Sequence, residues 1–190
     1  MYIPFVDELN DGQTPFTFNL INLQDQLIPV IAGALQQSIN LQLANFNPSD
    51  RAWRALDANL FAQDINQGIP KEGNILGAPV PGRPVVTAVW SPVDGHTSRV
   101  GEQFFKGAMS APYIHTYSGL CSKTKFDYDE AFAQPFFVKG DVTAYPPVFP
   151  EATQLKGVSG FHIATGWDNE FGIGHHCKDY KDFAASVKYQ

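Results

Sequence analysis

The sequence predicts a mainly β chain of the α+β kind: an antiparallel β-sandwich or barrel with one or two helices in its N-terminal third. Three observations lead there. Residues 85–190 break into about seven short runs at spacings of about 8–14 residues, the rhythm of sandwiches and barrels. Fourteen Pro and 16 Gly interrupt the 190 residues, so long regular elements have little room. Helical spacing of apolar residues is clearest in two windows in the first 66 residues, 22–37 and 49–66.

The elements follow in order. Phe16, Phe18 and Leu20 alternate with Thr17 and Asn19, a short strand. In 22–37, Leu23, Leu27, Val30, Ile31 and Leu35 fall at helical spacing, although Pro29 and Gly33 oppose a helix unless it starts near the proline. Ile39, Leu41 and Leu43 alternate with amides, a second strand. Residues 49–66 carry the strongest helical pattern. Ser49 or Asp50 can cap it, Trp53, Leu56, Leu60 and Phe61 form its apolar face, and Gly68 ends it. The run 68–84 is rich in Pro and Gly and reads as a long connection with little structure. The chain is thus expected to be one domain over 1–190. A mixed region spans 1–67, the connection 68–84 and a β-rich body 85–190.

Within that body, strands are expected at 85–90, 100–105 and 113–117, and 126–132 is ambiguous. A hairpin is expected at 136–138 and 142–145 about Lys139-Gly140-Asp141, with a second at 161–166 and 171–176. Residues 180–189 read as a short helix or a last strand.

Composition narrows the partners. Charged residues make up only 17% of the chain, against about 25% in an ordinary soluble domain. Fifteen Phe, seven Tyr and three Trp leave apolar surface to cover. The first fifty residues hold no Lys or Arg, and their polar positions are mostly Asn and Gln, which bury without an ionic desolvation cost. Together these point to a non-enzymatic structural or assembly subunit acting through self-association, such as a virion or phage component. The formal net charge of −6 argues against nucleic acid, and no run of 18 apolar residues spans a membrane. The first residues, MYIPFVDELNDG, do not read as a signal peptide. Cys121 and Cys177 are therefore expected as reduced thiols, unless release in a virion lets them pair.

Chemistry would centre on 157–177, which holds His162, His175, His176 and Cys177. In a regular hairpin, adjacent His175 and His176 point to opposite faces. His162, His175 and Cys177 could share a face and bind a metal, with His96, His115 or Cys121 as fourth ligand. No CxxC or HExxH spacing supports a metal, and no cofactor is expected. Thr165 to Asn169 places Trp167 beside Asp168 and Asn169, a set that can stack on and hydrogen-bond a sugar. Cys121, then Lys139-Gly140-Asp141-Val142, then Gly160-Phe161-His162-Ile163-Ala164 resembles the order of motifs in NlpC/P60-type papain-like peptidases over 121–164. The resemblance implies a Cys121 thiolate as nucleophile and His162 as base, oriented by His175 or Asp168. In that family the cysteine opens a long apolar helix, which CSKTKFDYDEAF is not, and the step from Cys to Gly-Asp is longer. Asp127, Asp129 and Glu130 lack the glycine of a calcium loop, and no phosphate-binding loop occurs.

Overall fold

The structure, a computed structural model, describes residues 2–49, 53–93, 107, 110–125, 136–146, 148–162, 168–169 and 174–186. The expected strand 100–105, the segment 126–132, His96 and Trp167 lie outside them. The chain is mainly β. The seven-stranded sheet contains β3 (Asn22–Gln24), β4 (Leu41–Asn47), β5 (Arg54–Ala55), β6 (Phe61–Ile69), β7 (Val80–Pro92), β11 (Phe136–Ala144) and β12 (Thr153–His162). Its order is β12-β11-β7-β6-β4-β3, with β5 paired to β6. A four-stranded sheet orders β1 (Tyr2–Val6), β2 (Phe16–Asn19), β8 (Tyr113–Ile114) and β9 (Cys121–Ser122). Strands β10 (Thr124–Lys125) and β13 (Asp168–Asn169) pair with each other. Two α-helices are described, α1 (Leu27–Gln37) and α2 (Lys181–Ser186), the latter entered through a 3-10 turn at Cys177–Tyr180. No helix among the described residues is long and apolar enough to cross a membrane.

Helix α1 joins two parallel strands, β3 and β4, and parallel neighbours need such a crossover. It starts at Leu27, so Pro29 falls in the first turn, where backbone N–H groups have no helical acceptor to lose. Gly33 is where the helix meets the sheet. A Cβ there would stand 1.9 Å from the Leu41 Cδ1 atom, so glycine lets α1 lie close on β4. Ser38 ends the helix at φ 49°, and its carbonyl accepts from Tyr117 N at 3.0 Å, tying α1 to the turn after β8.

The expected helix over 49–66 is a correction. Residues 54–69 form the β5–β6 hairpin instead, turned at Asp57-Ala58-Asn59, where Asn59 N donates to Asp57 Oδ1 at 2.7 Å and Leu56 N to Leu60 O at 2.8 Å. The apolar residues that fit helical spacing are met across the hairpin: Trp53 lies 5.3 Å from Phe61 and 6.2 Å from Phe136, ring to ring. Gly68 is no helix stop. It sits in β6, where a Cβ would come within 2.8 Å of Ala44 N.

The expected connection 68–84 is sheet at both ends, with a ten-residue turn between them. Strand β7 begins at Val80 and pairs with β6 from Ile69↔Val80 onward, leaving 70–79 as the turn. Pro81 and Pro84 are tolerated because β11 pairs with β7 only from Val86 to Pro92, so the proline-bearing end has β6 as its one strand neighbour among the described residues. The hairpin expected about Lys139-Gly140-Asp141 is a further correction. Strand β11 runs through it unbroken, and the register with β12 shifts there between Gly140 and Val142. A Cβ on Gly140 would be 2.1 Å from the Val89 carbonyl oxygen. Asp141 Oδ1 meanwhile accepts Gly157 N at 2.8 Å.

Burial gathers Phe16, Ile114, Cys121, Cys177 and Ala184 between the small sheet and α2, with Val6, Leu9, Phe18 and Tyr180 against them. Phe16 is wholly buried, which stabilises the fold by roughly 1.5–3 kcal/mol. The large sheet buries smaller side chains: Ala44, Ala62, Val85, Ala88, Val138 and Ala144.

Candidate functional site

The residues expected to carry chemistry meet the structure unevenly. Cys121 and Cys177 are joined in a disulfide, S–S 2.00 Å, so the expectation of reduced thiols is corrected. In this form Cys121 has no thiol to serve as nucleophile, and Cys177 has no thiolate to offer a metal. The backbone explains the pairing. Strand β9 is bridged to His175 by two hydrogen bonds, Cys121 N to His175 O at 2.8 Å and His175 N to Cys121 O at 2.9 Å. Two residues later the chain turns into the 3-10 segment and brings Cys177 back onto Cys121.

His162 ends β12 and pairs with Phe136 in the large sheet, whereas His175 pairs with Cys121 at the small sheet. Asp168 and Asn169 pair with Lys125 and Thr124. The expected 161–166/171–176 hairpin, and with it the face expected to be shared by His162, His175 and Cys177, falls largely on residues outside those described. Among the described residues, no group of three or more His, Cys, Asp or Glu could hold a metal ion. His175 is exposed, with its ring 6.2 Å from that of Tyr180.

Sequence reasoning missed the partner of His115. Its Nε2 lies 2.5 Å from Ser122 Oγ, across the turn joining β8 to β9. Gly119 makes that turn at φ 67°, and His115 N donates to Leu120 O at 2.7 Å. Gly174 covers the imidazole: a Cβ there would lie 2.6 Å from His115 Cε1. Burial pushes the His115 pKa below its ordinary value and keeps the ring neutral. A histidine against a serine is the pair that general-base catalysis uses. Here His115 is 1% and Ser122 3% exposed, so the pair satisfies the interior rather than facing a substrate.

Two surface features are better placed for function. No ionisable side chain occurs from Gln26 to Ser49. Within that stretch α1 turns Ile28, Ile31 and Leu35 outward, at 60%, 49% and 79% exposure. Spacings of three and four put them on one helix face. The turn between β6 and β7 exposes Ile75 and Leu76 as well. The amides around α1 mostly brace the fold. Asn40 Nδ2 donates to Leu20 O at 3.1 Å, Gln42 Nε2 to Asn40 Oδ1 at 3.2 Å, and Asn45 Nδ2 to Pro79 O at 2.9 Å. Asn19 is buried, and among the described residues neither of its amide atoms has a hydrogen-bond partner, while its carbonyl accepts from Thr116 Oγ1.

At the acidic turn before β2, Asp11 accepts from Thr14 Oγ1 at 2.7 Å and from the backbone N–H groups of Gln13 and Thr14. Lys181 Nζ stands 3.2 Å from the same carboxylate. The Thr14 hydroxyl, then these backbone donors, hold the Asp11 pKa far below the ordinary carboxylate range. The carboxylate is occupied by its own loop and by α2.

Comparison of the chain with known protein families, with curated proteins and with solved structures finds no match.

Proposed function

We propose that the protein is a non-enzymatic structural or assembly subunit that works through self-association, of the kind that builds a virion or phage particle. The observation that carries this reading is the outward face of α1. Exposed Leu and Ile side chains scattered singly are ordinary, but three on one helix, in a stretch with no ionisable group, form a contiguous surface that water solvates poorly. Helices that stay in solvent carry charge on the outer face. The low charge of the whole chain supports the same reading, and its acidic balance favours a protein partner over nucleic acid.

The sandwich or barrel architecture belongs to this proposal. Register shifts in β6 against β7 and in β11 against β12 support it, because bulges bend strands and increase twist. Light scattering over a concentration series tests the function. Mass should rise above that of one chain, and a strict monomer at the highest concentration would refute the proposal.

A further inference from the structure

We infer that the surface covering α1 is α1 of a second copy, packed antiparallel about a two-fold axis near Ile31. The inference rests on the self-association reading and names its seam.

Each copy carries a formal net charge of −6, and its first fifty residues hold five acidic side chains and no Lys or Arg. Two copies therefore repel unless they meet where charge is absent. The run from Gln26 to Ser49 is free of ionisable groups and places α1 at the surface. A basic partner would find no carboxylate on this helix, and an acidic one no cation. An identical uncharged face meets it with no unpaired charge buried on either side.

Geometry selects the arrangement. Ile28, Ile31 and Leu35 follow the three-then-four spacing of a coiled-coil seam. In a two-fold antiparallel pair whose axis passes midway between Ile28 and Leu35, beside Ile31, Ile28 meets Leu35 of the second chain and Ile31 packs next to its own copy. The self-complementary patch is what a two-fold interface requires. Antiparallel packing also sets each helix dipole against the opposite end of its neighbour. Helix α1 has 11 residues, so the seam is about 16 Å long. At roughly 10 Å wide, such a strip covers on the order of 160 Å², short of the roughly 800 Å² per partner of a standard interface, so weak association with a dissociation constant in the micromolar range is expected.

The test uses the full chain at roughly 100 µM, above that range. Light scattering on the wild type should give twice the chain mass or an even multiple. Ile31→Glu and Ile31→Lys should each weaken association at least tenfold, with unchanged circular dichroism and thermal midpoint. An equimolar mixture of the two should associate again, since opposite charges then meet at the axis. Leu35→Glu, at the most exposed position, provides a second disruption if position 31 disturbs the packing of α1. A monomeric wild type would overturn both this inference and the self-association reading. A wild type that associates while Ile31→Glu and Leu35→Glu associate equally well would overturn the α1 seam alone. So would variants that dissociate but do not recover when mixed.

Discussion

Reducing the Cys121–Cys177 disulfide should cost the fold about 4 kcal/mol. The two residues are 56 apart, and closing a loop of that length removes about 14 cal/mol/K from the unfolded chain, or about 4.2 kcal/mol at 25 °C. That is a large share of the roughly 5–15 kcal/mol by which domains are stable. The bond also sits in the core that α2 covers, with Cys121 against Phe16 and Ile114, so its loss loosens the packing of the C-terminal helix. Thermal unfolding with and without a phosphine reductant is the assay, beside the Cys121→Ala/Cys177→Ala double variant. At about 2–4 °C per kcal/mol for a chain of this size, the midpoint should fall by about 8–16 °C. The reduced wild type and the double variant should fall together. A midpoint that stays in place while thiol titration counts two free cysteines would refute the loop-entropy reasoning. Two thiols titrated in the denatured chain without reductant would refute the bond itself.

Two further predictions rest on single contacts. Gly140→Ala should destabilise by roughly 1–3 kcal/mol or more, because the new Cβ meets the Val89 carbonyl, which is backbone and held in the β7–β11 ladder. An unchanged urea midpoint would show that the strands can part without cost. Buried His115 should make the fold acid-sensitive. Its folded pKa lies below the unfolded value near 6.5, so the unfolded chain takes up the proton first as pH falls. This contribution is fully present above about pH 6.5 and is lost on acidification, by at most about 1.4 kcal/mol per pH unit for one proton. Urea midpoints from pH 7.5 to 5.5 should fall for the wild type and fall less for His115→Gln. Equal slopes would remove His115 as the cause.

What the sequence showed depended on whether local spacing and distant pairing agreed. Phe16 to Asn19, α1 and the alternation through Leu41 and Leu43 were legible because period and neighbours favour the same state. Over 49–66 they conflict. Trp53, Leu56, Leu60 and Phe61 fit a helix, but Asp57-Ala58-Asn59 makes a turn, and Phe61 onward finds partners in β4 and β7. Only the long-range pairing decides, and a window of residues does not contain it. The same holds for Lys139-Gly140-Asp141, whose composition suits a hairpin turn. The close approach of Val89 makes Gly140 a strand residue instead. At the site, the cluster of His and Cys after Gly157 was visible. The route of the chain that puts His162 in the large sheet and ties Cys177, in a 3-10 turn, to the small sheet through Cys121 was not. The exposed seam on α1 was half legible: the absence of charge was plain, while which apolar residues face outward required the position of Gly33 on Leu41.

The parallel pairing of β2 with β8 sets an order of events during synthesis. Thr17 hydrogen-bonds along a strand whose partner, Tyr113, is made 96 residues later. At roughly 5–20 residues per second, β2 waits about 5–20 s on the ribosome for its neighbour, and longer for the sulfur of Cys177 that closes the core over Phe16. During that interval Phe16 and Phe18 have no finished sheet to enter. The small sheet is thus sealed only after the described strands of the large sheet have been made, although β1 and β2 are made before them.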